Sequence, residues 1–372
     1  MKKTLMRMGV GVLRIIYAPF RLLKVKKNRI TFMSRQSEGA SIDVKMLADR
    51  IRAEHPEADL RVMVKMLKPT VGGMAGYCLH MIAQMHALAT SRVVVLDGYC
   101  ITACVLPHKP ETRVIQMWHS LAAIKKFGYQ SLDTPAGHSS EVAEIMCMHR
   151  NYDCIICPSE ATGRLFCRAM NTDEDKMAVL GLPRIDVISR HDTQAAARIR
   201  EEYGIREDKK ILLYVPTFRK GEKVRVRELA EALDRSRYEL VVKLHPVYKE
   251  EGDVPEDVIS DDRYSSYEWL NACDGVITDY SAMGIEGALA GRPVYFYLYD
   301  QEEYEKNVGL NINPMTELPG ASAVTAAEMA GIIEGEYDFG ALREFRDRYV
   351  TADRDNCTER LADFIWKKSR NS

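Results

Sequence analysis

Gly275-Val276-Ile277-Thr278-Asp279-Tyr280-Ser281-Ala282-Met283-Gly284-Ile285-Glu286 decides how this chain folds. Val276 to Thr278 is an apolar strand that runs into Asp279-Tyr280-Ser281. Ser281 is a good helix N-cap, and Ala282 to Ala290 reads as the helix it starts. Gly291-Arg292-Pro293 ends that helix, and Val294 to Leu298 reads as the next strand. A strand that feeds a helix N-terminus is a ready anion site, because unpaired backbone N–H groups and the positive dipole end point at it. Glu286, five residues into the helix, is placed to reach a sugar hydroxyl beside a bound phosphate. The plain alternative is an ordinary strand–turn–helix with a capping serine. The neighbouring strand ends decide between them.

Those neighbours repeat the pattern. Lys210 to Val215 reads as a strand ending in Pro216-Thr217-Phe218-Arg219, and Tyr238 to Leu244 as one ending in His245-Pro246. Strand ends on one edge of a parallel sheet are neighbours. Arg219, Lys243 and the N-terminus of the helix after Asp279-Tyr280-Ser281 would together hold a diphosphate. Upstream, Gly181-Leu182-Pro183-Arg184-Ile185-Asp186 marks a turn and a composition shift, so a domain boundary is expected near 185 to 190. There Arg184 and Asp186 serve either a ligand in the cleft or a surface ion pair.

The first half has the same grammar. Arg29 to Met33, Leu60 to Leu67, Arg92 to Asp97, Arg113 to Trp118, Cys154 to Cys157 and Met177 to Leu180 read as strands, with helices between most of them. Short apolar runs separated by helical patterns predict a parallel sheet covered on both faces. In such sheets ligands sit at the carboxyl ends of the strands. One of these ends is Trp118-His119-Ser120, with Lys125 and Lys126 close behind. A histidine there suits a general base beside a phosphate, since an unperturbed imidazole titrates at about 6.5. Its alternative is a ring satisfied by a backbone carbonyl.

Composition bounds the rest. A length of 372 residues with 46% hydrophobic and 28% charged residues fits two soluble domains. A net charge of -1 carries no nucleic-acid signature. Nine cysteines over this length make no disulfide framework. Cys154 and Cys157, three apart on a strand, face opposite sides and form neither metal nor redox pair. No His, Cys, Asp and Glu pattern has metal-ligand spacing, so no metal and no cofactor are expected.

The amino-terminal arm is different. Ten Lys or Arg precede the first acidic residue, Glu38. Arg7, Arg14 and Arg21 are seven apart and share one helical face, and they break an apolar stretch too short to span a bilayer. The arm is expected to lie as a helix on an anionic membrane surface, with a basic helix packed on the protein's own surface as the alternative. The expected organisation is an arm at 1–28, one domain at 29–187, a second at 188–345, and a carboxy-terminal helix at 346–372 that crosses back to the first.

Six segments stand in order: Trp118-His119, Gly181 to Asp186, Val215-Pro216-Thr217-Phe218-Arg219, Lys243-Leu244-His245-Pro246, Ile277-Thr278-Asp279-Tyr280-Ser281 and Arg292-Pro293-Val294-Tyr295-Phe296-Tyr297. This set resembles the CDP-glycerol glycerophosphotransferases of teichoic acid synthesis. The resemblance implies an α/β fold of the GT-B kind, with two Rossmann-like domains whose parallel sheets face across a cleft. It implies transfer of glycerol phosphate from CDP-glycerol, or another CDP-polyol, to a hydroxyl of a lipid-linked polyprenyl acceptor, releasing CMP. It also implies a peripheral protein on the cytoplasmic side of the cell membrane. His119 and His245 match that family's catalytic histidines, and Thr217, Arg219, Asp279 and Ser281 fall in its donor-site segments. Two departures stand out: Ser120 where the family usually has glycine, and Val308-Gly309-Leu310-Asn311 where it tends to have Arg-Gly before an aromatic. The second lies near the place of the donor's polyol and leaves CDP-glycerol and CDP-ribitol both open. A sugar-nucleotide glycosyltransferase of the same fold, with Glu286 on a ribose, and a non-catalytic assembly protein are the other classes.

Overall fold

The computed structural model describes residues 2–190, 192–219, 224–244, 254–351 and 353–370. The chain divides into two compact units. Met1–Ser120, Phe127–Asp186 and Ala352–Ser372 form the first, and Leu121–Lys126 and Val187–Thr351 form the second.

The first unit is built on strands β1 (Lys26–Ser34), β2 (Asp59–Val64), β3 (Ser91–Leu96), β4 (Arg113–Gln116), β5 (Cys154–Cys157) and β6 (Met177–Val179). They lie in the order β2-β1-β3-β4-β5-β6, and every pair is parallel. Every residue of β3 is buried, which is why it reads as a continuous apolar run rather than an alternating one. Helix Val71–Thr90 starts at Val71 because Thr70 accepts from the Gly73 N–H and caps it despite two glycines in the first turn. The last helix, Cys357–Arg370, packs on helix Ile42–Glu54 and on β1. Cys154 and Cys157 are free and buried, and burial pushes their thiols up to about 11 and about 12.

The second unit contains β7 (Lys210–Val215), β8 (Tyr238–Val242), β9 (Ile259–Ser260), β10 (Gly275–Thr278), β11 (Val294–Tyr297) and β12 (Ser322–Ala323). Their order is β12-β11-β10-β7-β8-β9, again all parallel. β12 has two residues and leaves no periodic signal, so sequence reading misses it. β7 lies between β10 and β8. The topology therefore sets the carboxyl end carrying Thr217 and Arg219 between the end carrying Lys243 and the end carrying Asp279.

The opening stretch folds as a strand, a turn and a helix, with one change of register. The helix is Met283–Leu289, and Ala282 rather than Ser281 holds the N-cap position. Ser281 still caps locally, because its Oγ accepts from the Met283 N–H at 3.3 Å. Gly284 lets this helix press on the sheet: a Cβ there would stand 2.6 Å from the Phe296 ring of β11.

Candidate active site

The carboxyl ends of β7, β8 and β10 border a cavity of about 880 Å³ in the second unit. Lys125, Thr217, Phe218, Lys243, Asp261, Arg263, Tyr264, Ser265, Ser266 and Ser281 are among its lining residues. Three of the residues expected from sequence, Thr217, Lys243 and Ser281, thus share one wall system.

Behind Thr217 lies a closed network that sequence reading assigned to the ligand. Asp279 is fully buried and accepts from the Thr217 N–H at 2.9 Å and the Thr217 hydroxyl at 2.6 Å. It also accepts from the Tyr280 N–H at 2.6 Å and from Arg219 Nη1 at 2.7 Å. The Arg219 guanidinium then gives Nε and Nη2 to Asp300 at 2.5 and 2.9 Å. Its carbon lies 4.6 to 5.6 Å from the ring centroids of Tyr280, Tyr299 and Tyr304. Two carboxylates share this guanidinium, and Asp279 also faces Lys125, so the Arg219 charge is matched within the network. The Thr217 hydroxyl proton is already given to Asp279. Arg219 and Asp279 therefore shape the strand ends rather than offer charge to a ligand. Asp300, the residue that completes this frame, carried no signal in the sequence beyond following β11.

The groups that face the cavity are different. Lys243 Nζ donates to the backbone oxygens of Asp261 and Tyr264, each at 2.6 Å. Ser281 and Ser265 each accept a backbone N–H, from Met283 and Glu268, and so keep their own O–H hydrogens to give. Of the lysine pair, Lys125 lines the cavity, whereas Lys126, the one expected from sequence, is exposed and packs its stem against Gly309. Burial pushes the Lys125 ammonium down, Asp279 pulls it up, and Arg219 pushes it down again. Asp261 looks like an acidic intruder but is spent. Burial would raise it, yet donors from Tyr203, Trp269 and the N–H groups of Arg263 and Tyr264 hold it well below the usual carboxylate range. Glu286 is buried with Tyr267 Oη at 3.4 Å and does not line the cavity, so it is not placed to reach a sugar within it.

Residues 308–312 are tied beside Lys125. Lys126 N–H donates to Gly309 O at 3.0 Å, Asn311 N–H donates to Ile124 O at 2.8 Å, and Lys125 and Leu310 form an antiparallel bridge. Gly309 sits in the left-handed region, φ 77°, which favours glycine at this turn.

In the first unit, Trp118 stands two residues past the end of β4, and its φ of 59° is rare for a bulky side chain and holds strain on the order of 1–3 kcal/mol. Its ring stacks on Phe127 at 4.6 Å and lies 4.3 Å from the His119 ring. His119 Nδ1 is 2.9 Å from the Asp97 carbonyl oxygen. A carbonyl only accepts, so Nδ1 carries a proton and the lone pair of the neutral ring is on Nε2. The carbonyl expected as the plain alternative is present, and it fixes the tautomer a base needs. The Asp97 carboxyl is buried, and neither oxygen makes a hydrogen bond of normal geometry among the described residues. Burial pushes it up to about 6, against the pull of the Ser34 hydroxyl nearby.

Arg184 is not at the surface and does not line the second unit's cavity. It is buried in the first unit, where Asp43 takes its backbone N–H at 2.8 Å and its guanidinium at 2.5 and 2.9 Å. Asp186 accepts from Cys357 and Thr358 and ties down the last helix. His245 lies outside the described residues. Among the described residues one group, Glu54, His55 and Asp363, brings its ligand atoms within 4.8 Å of one another; it is half exposed, and His55 is stacked on Trp366.

Residues 15–367 match the family model for CDP-glycerol:poly(glycerophosphate) glycerophosphotransferase. The teichoic acid ribitol-phosphate primase of Bacillus spizizenii is 31% identical, over 98% of this chain and 98% of its own length. The teichoic acid glycerol-phosphate primase of Bacillus subtilis is 27% identical, over 77% of this chain and 76% of its own. Among solved structures, the wall teichoic acid polymerase TagF superposes with a TM-score of 0.74 at 21% identity, covering 99% of this chain and 97% of that one. A form of TagF soaked with CDPG has the same TM-score. The α/β class with two parallel sheets of the GT-B kind, expected from sequence, is borne out.

Proposed function

Since the chain belongs to the CDP-glycerol:poly(glycerophosphate) glycerophosphotransferase family and is a polyol-phosphate transferase of teichoic acid synthesis, we propose that it transfers a polyol phosphate from a CDP-polyol to a hydroxyl of a lipid-linked acceptor and releases CMP. The cavity of the second unit carries this reading. Phe218 and Tyr264 offer faces for a base, Lys125 and Lys243 offer charge for a diphosphate, and Ser281 and Ser265 offer hydroxyl donors. Its volume of about 880 Å³ suits a nucleotide-sized donor.

In this proposal the acceptor oxygen attacks the β-phosphorus in line. A new P–O bond forms, the bond to the bridging oxygen breaks, and CMP leaves with that oxygen. The acceptor proton goes to Nε2 of His119. Lys243, Lys125 and Ser281 hold the charge that develops on the phosphates, and His245 keeps the catalytic role that the resemblance gives it. Phosphoryl transfer asks for positioning and electrostatics above all.

CDP-glycerol is the donor named by the family description. One observation favours CDP-ribitol as a second reading: the relative matched end to end is a ribitol-phosphate primase. Val308-Gly309-Leu310-Asn311, tied beside Lys125, then sits where polyol length is read. The test is a donor panel on a short lipid-linked acceptor, run in EDTA, with products sized by mass. CMP is expected from one or both CDP-polyols and no UDP from UDP-sugars. UDP release, or a strict need for a divalent ion, overturns the assignment.

We also propose peripheral attachment to the cytoplasmic face of the membrane. Helix Lys2–Tyr17 turns Leu5, Met8, Val12 and Ile15 outward, at 52 to 74% exposure, while burying Val10 and Tyr17. No described helix is long and apolar enough to cross a membrane. Binding to vesicles of anionic but not neutral lipid is the expected result; a full chain that ignores both counts against it.

A further inference from the structure

The first unit holds a second cavity, of about 500 Å³, that the transfer reaction does not use. Helix Lys2–Tyr17 and the 3-10 turn Ala18–Leu22 form one wall, and residues 104–107 and 147–151 form the other. Arg14, Arg21 and Arg150 line it, and no Asp or Glu does. Among the described residues, none of these three arginines has a carboxylate partner; Arg14 Nε donates to the Val105 carbonyl at 3.3 Å. Tyr17, also in the lining, is 1% exposed, and its buried hydroxyl makes no hydrogen bond among the described residues. The opposite wall is fixed: Asn151 Nδ2 donates to the carbonyls of Ala103, Cys104 and Leu106 at 2.9 to 3.3 Å.

Three guanidiniums and an unused phenol around one cavity are a site for a phosphate ester. Each guanidinium offers a donor fork matched to phosphate oxygens, and a fold that places three together without a carboxylate gains nothing unless an anion joins them. The neighbouring surface says how that anion arrives. Positions 5, 8, 12 and 15 recur at helical spacing as an outward apolar stripe. Leu22, at 86%, extends the stripe past the helix, and Leu79 and Val71, at 70 and 82%, expose more on the adjacent helix Val71–Thr90. An apolar face beside a cationic hollow matches the two layers of a bilayer surface.

We propose that this cavity is a headgroup site for the phosphate of an anionic membrane phospholipid, filled while the outward stripe of helix Lys2–Tyr17 lies among the acyl chains. It rests on the membrane-surface reading above and adds a defined stereochemical site to it. The site makes attachment depend on a lipid phosphate and not only on diffuse charge.

The test uses the full chain with vesicles of pure phosphatidylcholine or of phosphatidylcholine with phosphatidylglycerol, in about 0.5 M salt, where diffuse attraction is screened. Arg150→Gln is expected to weaken binding to the phosphatidylglycerol vesicles at least about tenfold, while Lys24→Gln, the same loss of charge outside the cavity, changes it less than about twofold. Tyr17→Phe removes no charge and takes away a buried, unpaired hydroxyl, so its melting temperature should not fall; it is expected to weaken binding by about threefold or more. Equal effects of Arg150→Gln and Lys24→Gln, with Tyr17→Phe like wild type, overturn the site but leave membrane attachment standing. No binding of wild type to either vesicle overturns the membrane reading and the site with it. In a separate arm, 10 mM inorganic phosphate should neither raise the melting temperature through Arg150 nor displace the vesicles; if it does both, the ligand is a soluble phosphate and the lipid proposal fails.

Discussion

Arg219 and Lys243 follow neighbouring strands of one sheet, β7 and β8, and both were expected to grip the donor's phosphates. The structure separates them by the charge of their partners. Arg219, its side chain 4% exposed, is held by the carboxylates of Asp279 and Asp300. Lys243 is held by two neutral carbonyls, and among the described residues it pairs with a single carboxylate, Asp261 at 3.5 Å, which also accepts from four neutral donors. A cation outnumbered by carboxylates builds the frame of a site. A cation held by two carbonyl dipoles beside a single carboxylate is positioned with part of its charge left to meet a ligand.

The largest effect should come from breaking the frame. Arg219→Ala leaves two buried carboxylates without their cation, at a cost on the order of 3–5 kcal/mol. In a unit of this size that is a loss of roughly 10 °C in melting temperature. Combining Arg219→Leu with Asp279→Asn and Asp300→Asn removes the uncompensated charge and should recover part of it. Denaturant unfolding of the single and triple variants checks this. A single variant with wild-type stability and lost CMP affinity would make Arg219 a ligand group after all.

The sequence showed the two sheets, most strands and the strand ends that matter, because buried parallel strands write themselves as short apolar runs. It showed which residues lie near the site but not which way each is committed. Arg219, Asp279 and Thr217 belong to segments that look like a phosphate cradle, yet they satisfy one another, and their third partner, Asp300, comes from a segment with no motif. Lys126 and Lys125 are adjacent and chemically equal, and only the pairing with residues 309–311 decides which one lines the cavity. Arg184 needed Asp43, 141 residues away, to be seen as a core ion pair. Partnership over such separations leaves no periodic trace.

A second comparison sets Asp279 against Asp97, a buried carboxylate with many donors against one with none of normal geometry among the described residues. Asp97 is pushed up to about 6 from 3.8, so the folded chain holds its proton where the unfolded chain has lost it. Stability therefore falls as pH rises from about 4 to about 6, and the penalty is fully present at neutral pH. Asp97→Asn removes a charge that must otherwise be buried. It should raise stability at pH 7.5 by up to about 3 kcal/mol and give no gain near pH 4. Thermal unfolding at both pH values decides it, and a gain independent of pH refutes it.

His119 hangs from the backbone of that same Asp97, so its role can be tested apart from its packing. Its Nδ1 proton, and with it the tautomer, is set by the Asp97 carbonyl. His119→Ala should cut turnover at least about a hundredfold while leaving CMP affinity and melting temperature close to wild type. Turnover within a fewfold of wild type would remove it as the base. A matching loss of CMP affinity would make it a binding group instead.

Lys243→Gln tests the other half of the opening comparison, where the smallest effect is expected. Glutamine keeps donors for the two carbonyls but carries no charge, so stability should change by no more than about one hydrogen bond, roughly 1 kcal/mol. CMP and CDP-polyol affinity should fall by at least about tenfold, the scale of one hydrogen bond to a charged phosphate. Wild-type affinity should weaken with added salt and the variant's should weaken less, because the charge that salt screens is the one removed. Arg219→Ala is expected to reverse this profile, with a large loss of stability and little salt-dependent change in whatever folds. If both variants lose stability alike and keep the same salt dependence, Lys243 belongs to the frame, and the cationic face of the cavity reduces to Lys125 and Arg263.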